Sequence, residues 1–168
     1  MITLRPHQQD ALAAMMKHSK GQVIIPTGGG KTICMIKDAK RQFDADGPTT
    51  IVVVAPRILL AEQLCKEFLE LIDDAAVYHV HSGETKHFSS TKPALIKNWH
   101  RQAYRNQLIF TTYHSLHKVQ EAGINVDTIY FDEAHNSVQR NFFPATEHFS
   151  ADADRCYFFT ATPKHSVT

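Results

Sequence analysis

What the 168-residue chain lacks narrows its class first. It has no run of about 18 apolar residues, so no segment reads as a membrane span. Its N-terminus, MITLRPHQQD, carries Arg, Gln and Asp where a secretory leader needs an apolar stretch. The expectation is an intracellular protein, cytoplasmic or nucleoid- or nucleus-associated, with no membrane partner. Cysteine is scarce. Cys34, Cys65 and Cys156 stand far apart with no CxxC pair, which argues against a disulfide framework or a zinc knuckle. Each reads as a small buried residue in a reducing compartment. Net charge is nearly absent: 18 Lys and Arg stand against 17 Asp and Glu, for +1. Over the whole chain that balance gives no hint of a nucleic-acid partner.

What is present is the composition of a soluble globular domain, 43% hydrophobic and 21% charged, in a length that suits one domain with a real core. Histidine is abundant, at eleven residues. His79 and His81 form an HxH whose rings would share one face of a strand. No Cys or carboxylate lies at ligand spacing beside them in sequence, so the pair is a weak metal signal.

Strand-like and helix-like runs alternate. Gln22–Pro26, Thr50–Ala55, Ala76–His81, Gln107–Thr111, Asp127–Asp132 and Arg155–Thr160 are short and β-branched or aromatic. Several are apolar almost throughout, which suits strands buried on both faces of a parallel sheet. Helical stretches are predicted at Pro6–Lys17, Lys31–Asp44, Ile58–Ile72, Pro93–Arg105 and Tyr113–Glu121. The pattern predicts a doubly wound α/β domain with a mostly parallel sheet between two helical layers. Ligands in such sheets bind at the carboxyl ends of the strands.

After the first strand comes Pro26-Thr27-Gly28-Gly29-Gly30-Lys31-Thr32, then a helix. Strand, glycine-rich turn and helix start are the context a phosphate-binding loop needs. Glycines let successive N–H groups turn inward around an anion. The helix N-terminus adds unpaired donors and a positive dipole end. Lys31 supplies a charge for the β- and γ-phosphates, and the Thr32 hydroxyl can ligate Mg²⁺. One departure stands out: GxxxxGK[ST] asks for glycine at position 25, which is Ile25.

The fifth strand-like run ends in Phe131-Asp132-Glu133-Ala134-His135. Two carboxylates at a strand's carboxyl end would face the phosphate-loop crevice. Asp132 is expected to hold Mg²⁺, through water. Glu133 is expected to orient or deprotonate the attacking water. His135 either links the nucleotide site to neighbouring loops or fills space.

GGGKT with DEAH resembles the superfamily 2 helicases and translocases, in the group related to restriction-enzyme and repair helicases. The other family motifs follow in order. Leu4-Arg5-Pro6-His7-Gln8 is similar to the N-terminal motif whose glutamine reads adenine. That maps to Gln8, with Arg5 beside it in the nucleotide site. Ala55-Pro56-Arg57 looks like motif Ia, and Thr111-Thr112-Tyr113-His114-Ser115-Leu116 looks like motif Ib. Thr160-Ala161-Thr162-Pro163 looks like motif III, in which Thr160 and Thr162 would couple nucleotide state to strand movement. The resemblance implies a RecA-like P-loop domain using ATP and Mg²⁺. It further implies a second RecA-like domain in the full-length protein, carrying an arginine finger. Residues 1–168 would be the first of the pair and hydrolyse ATP weakly or not at all alone.

The resemblance also places nucleic acid against motifs Ia and Ib, at Pro56, Arg57, Thr111, Thr112 and Tyr113. Such contacts go to the sugar-phosphate backbone and do not read sequence. DNA is favoured over RNA by likeness to repair and restriction relatives. Charge agrees with a nucleic-acid partner once it is taken locally. Thr85–Gln120 contains no Asp or Glu and carries Lys86, Lys92, Lys97, Arg101, Arg105 and Lys118, for +6, which leaves −5 elsewhere. Lys97, Arg101 and Arg105 are spaced to share one helix face. Leu95, Ile96, Trp99 and Ala103 fall on the other, as core. That basic face reads first as a solvated one. Phe142 and Phe143 are expected in the core. Two alternatives stay open: a nucleotide-dependent binding module that opens no duplex, and an RNA helicase. A P-loop kinase would have no use for TATP or TTYHSL.

Overall fold

The computed structural model describes residues 4–26, 30–45, 47–83, 87–135 and 142–162. Thirteen elements follow one another: α1 (Pro6–Lys17), β1 (Lys20–Pro26), α2 (Lys31–Ala45), β2 (Thr50–Ala55), α3 (Ile58–Leu71), β3 (Ala75–Val80), β4 (Phe88–Ser89), α4 (Pro93–Gln102), β5 (Asn106–Thr112), α5 (Leu116–Ala122), β6 (Thr128–Phe131), α6 (Phe143–Asp152) and β7 (Arg155–Thr162). The strands form one sheet in the order β1-β7-β6-β2-β5-β3-β4, and every pairing is parallel.

The chain lays down β1 to β4 moving outward, then fills the gaps on its return. β5 enters between β2 and β3, and β6 and β7 enter between β1 and β2. Side chains alternate between two cores with the strand period of two. Ile51, Val53, Phe110, Tyr130 and Phe159 pack with Met15, Met35 and Phe68 of α1, α2 and α3. Val52, Val54, Ile109, Ile129 and Phe131 pack with Ile96, Val119 and Phe149 of α4, α5 and α6. This two-sided burial is why the strands read as nearly continuous apolar runs. Each such side chain contributes about 1.5–3 kcal/mol when withdrawn from water. Cys34, Cys65 and Cys156 are buried and free, as expected. Among the described residues no helix is long and apolar enough to cross a membrane.

Several local features depart from the sequence pattern. α4 stops at Gln102, so Arg105 does not continue the face of Lys97 and Arg101. The reason lies on β5: the Gln107 amide donates to the carbonyls of His100 at 3.1 Å and Ala103 at 2.7 Å, taking the acceptors of the last turn. Leu95 is exposed, and Ile96 alone of that arc is fully buried. Trp99 is half-buried against Tyr78, ring centroids 4.6 Å apart. α5 begins at Leu116, not at Tyr113, because residues 113–115 form a turn. Phe143 is 46% exposed, while Phe142 packs on Tyr113 and His114. The two-residue β4 and the helix α6 carry little apolar periodicity, and the sequence pattern does not mark them.

Candidate functional site

A parallel sheet gathers every strand's exit at one edge. β1 there ends at Pro26, and α2 starts at Lys31. Thr27, Gly28 and Gly29 lie outside the described residues. Gly30 does not: its φ is +78°, and a Cβ there would come 2.3 Å from Gln8 Nε2. The backbone angle demands glycine, and an added Cβ would push the Gln8 amide aside. Gln8 is buried and bridges two elements. Its Oε1 accepts from the Arg5 N–H at 2.8 Å, closing the first turn of α1, and its Nε2 donates to the Gly30 carbonyl at 3.2 Å. The N-terminal glutamine thus touches the last glycine of the GGGKT segment directly. Ile25, standing where the loop pattern wants glycine, is a buried core residue of β1.

β6 brings the carboxylates to Lys31. The Lys31 ammonium donates to Glu133 Oε1 and lies 3.0 Å from Asp132 Oδ1. Asp132 is held by its own N–H, which donates to the Val54 carbonyl at 2.8 Å. Glu133 sits in the left-handed region, at φ 50°. A non-glycine residue there costs about 1–2 kcal/mol, and such strain concentrates at sites where a side chain must be aimed. Burial alone would lower the Lys31 pKa, but the two carboxylates outweigh it and the net direction is up. Burial pushes Asp132 up as well, and Lys31 offsets that only in part. One cation is thus shared by two carboxylates with a residual negative charge. His135 is exposed, with Nδ1 4.0 Å from Glu133 Oε2.

Asp132 Oδ1 is buried and has no hydrogen-bond partner, its contact with Lys31 being an ion pair outside hydrogen-bond geometry. The half-buried Thr32 lies one residue beyond Lys31. A hydroxyl and a buried carboxylate oxygen short of a partner are a donor set that suits Mg²⁺.

The motif Ib side chains are turned into the fold. Thr111 and Thr112 are buried, and the Thr111 hydroxyl donates to the Val80 carbonyl at 2.7 Å. Tyr113 is 2% exposed, and its hydroxyl donates to the Asp132 carbonyl at 2.7 Å. It is a positioning residue for the acidic turn, a role no motif spacing signals. The exposed residue of that turn is His114. Arg57 is exposed at the start of α3, with Pro56 half-buried beside it. Lys97 and Arg101 are exposed on α4, and Arg105 precedes β5, at the opposite end of that strand from Tyr113. Thr160, in β7, lines a cavity of about 500 Å³ with His135, Phe143 and Phe158, and Thr162 ends the strand. Pro163 lies outside the described residues.

An all-parallel sheet with a phosphate-loop lysine from β1–α2 paired to an acidic turn after β6 defines a RecA-like domain of the superfamily 2 helicase kind. The chain belongs to the family described as the Type III restriction enzyme, res subunit, whose profile matches residues 1–165. It is similar to the Type ISP restriction-modification enzyme LlaGI, solved as a nuclease-deletion mutant with a DNA substrate mimic. That match has 25% identity and a TM-score of 0.80, over 98% of this chain and 18% of that one. The UvsW helicase from bacteriophage T4 shares the fold at 13% identity and TM-score 0.71, over 95% of this chain and 52% of that one. The Hef helicase domain of Pyrococcus furiosus does so at 21% identity and TM-score 0.68, over 98% and 33% respectively. The chain spans less than a fifth of the LlaGI protein and about half of UvsW.

Proposed function

We propose that this chain is the nucleotide-binding half of an ATP-driven motor that moves along DNA. The observation that carries the reading is the Lys31–Asp132–Glu133 cluster, which joins the phosphate loop to the acidic turn. An incoming triphosphate competes for Lys31. Its β- and γ-oxygens replace the two carboxylates, and Glu133 is released to accept a proton from the attacking water. Gln8 and Arg5 border the loop where the base would lie. Thr32 and Asp132 would hold Mg²⁺, which when bound offsets the phosphate charge.

A second RecA-like domain completes the cleft in the full-length protein. Its arginine finger is worth about 10³–10⁵ in rate, so residues 1–168 alone bind nucleotide and turn it over very slowly. DNA as the track is supported by LlaGI, solved with a DNA substrate mimic, and by LlaBIII, solved bound to DNA. Contacts from Arg57 and the 113–115 turn would go to phosphates, giving sequence-independent, salt-sensitive binding. The test is steady-state ATPase of the full-length protein with single-stranded DNA, duplex DNA and RNA at one salt concentration. DNA-stimulated turnover lost in Lys31→Ala and Glu133→Gln supports the motor. Nucleic-acid binding with no stimulated hydrolysis makes it a binding module, and stimulation by RNA alone makes it an RNA motor.

A further inference from the structure

The carboxyl end of β3 gathers donors that are far apart in sequence. One ligand atom each from Cys65 on α3, His79 on β3 and His87 before β4 lie within 4.8 Å of one another. It is the one such set of three among the described residues. Independently, His79 is 1% exposed, yet its Nε2 has no hydrogen-bond partner. A buried polar atom left without a partner costs about 1–3 kcal/mol, so its persistence asks for a reason. We propose that Cys65, His79 and His87 form a binding site for a thiophilic divalent cation, with zinc the ion this donor set suits.

The site comes with a device that orients its central ligand. The Gly83 N–H donates to His81 Nδ1 at 3.1 Å, so a neutral His81 carries its proton on Nε2. That proton points at His79 Nδ1, 3.0 Å away. Neutral His79 is left with its proton on Nε2, the atom without a partner. A cation on His79 Nε2 reverses the relay. The His79 proton moves to Nδ1 and is donated to His81 Nε2, and the His81 proton moves to Nδ1. The Gly83 N–H then turns to water. Metal-bound histidines are commonly fixed by such a hydrogen bond from the other ring nitrogen. No proton leaves the histidines, and the Cys65 thiol releases one as it becomes a thiolate.

The required movement is small. Tetrahedral zinc bonds of about 2.0–2.1 Å to nitrogen and 2.3 Å to sulfur set donors roughly 3.4–3.6 Å apart. The donors, all within 4.8 Å of one another, must therefore close by at most about 1.4 Å. The His79 and His87 rings now stack in parallel, 5.5 Å between centroids and 11° between planes, so the His87 ring must also rotate. His87 is half-buried, beside the two-residue β4. Phe110 backs His79 from β5, which leaves His79 as the fixed ligand. Water completes the fourth position.

The test uses the full chain freed of metal and titrated with Co²⁺ or Zn²⁺ alone. Expected are one equivalent bound, a thiolate-to-cobalt charge-transfer band, one proton released per ion and a higher melting temperature with Zn²⁺. His87→Asn, nearest the surface, should weaken binding about 100-fold or more, and His81→Asn about 10–100-fold. Cys65→Ser should abolish the cobalt band, whereas Cys156→Ser keeps it. Absence of stoichiometric binding, or a band that survives Cys65→Ser, overturns the proposal. Should Cys65→Ser not fold, unchanged affinity in His87→Asn does the same. None of these readouts involves nucleotide, so failure here leaves the motor reading untouched, and the reverse.

Discussion

Two polar clusters sit at the same edge of one sheet and solve burial in opposite ways. At β1 and β6, Lys31, Asp132 and Glu133 are charged, and a single cation is divided between two anions. At β3, the described ring contacts of His79 and His81 link neutral groups by directional hydrogen bonds, beside a buried thiol. The first is held by attraction that an anion can redirect, with Glu133 kept in a strained backbone angle to aim it. The second is held by where protons sit, so what perturbs it is a proton or a metal. A parallel sheet offers several strand exits, and the side chains at each decide which chemistry it hosts.

The largest effect that tests this contrast is on hydrolysis. Glu133→Gln keeps shape and removes the base, so turnover in the full-length protein should fall about 10²–10⁴-fold. Cobalt binding at Cys65 should not change in the same variant. A joint loss would mean the clusters are coupled.

Acid is expected to strike the second cluster. Burial first, then the neighbouring His81 and His87, lowers the His79 pKa from 6.5 to about 3. A depressed folded-state pKa gives stability that is present above the unfolded value and is lost as pH falls through the folded one. Metal-free protein should therefore lose up to about 1.4 kcal/mol per pH unit between pH 6.5 and 3 through this ring. Burial shifts His81 in the same direction, with Glu62 opposing it. Urea midpoints followed against pH should show a shallower acid limb in His79→Gln. Equal slopes would mean the ring is not neutral in the native state.

Gly30→Ala should cost about 1–2 kcal/mol, from a left-handed angle denied to alanine and from displacement of the Gln8 amide. Nucleotide affinity should fall with it, measurable by calorimetry, while metal affinity stays. The smallest effect is at Arg57. Arg57→Ala should weaken DNA binding by roughly 1 kcal/mol and reduce the salt slope by about one unit, uniformly across sequences.

Much of this was readable along the chain. α1 spans the residues its pattern predicts, and β2 does so as well, because apolar periodicity and β-branched runs are local signals. GGGKT and DEAH could be found because each cluster of functional groups is contiguous. Sequence reasoning missed that Tyr113 supports Asp132 through its carbonyl, since buried and exposed tyrosines are spelled alike. It missed the end of α4, because Gln107 takes its acceptors from the next strand.

The cation site shows the limit most sharply. Read alone, His79-x-His81 lacked a sulfur ligand, and Cys65 was an ordinary buried cysteine. The sequence by itself determined an α/β sheet, its glycine-rich GGGKT segment and its acidic turn, since these depend on residues within a few positions of each other. Only the tertiary structure decided that α3 lays Cys65 over His79 and that the chain brings His87 back against both. Those distances come from packing of elements, which spacing along the chain does not encode.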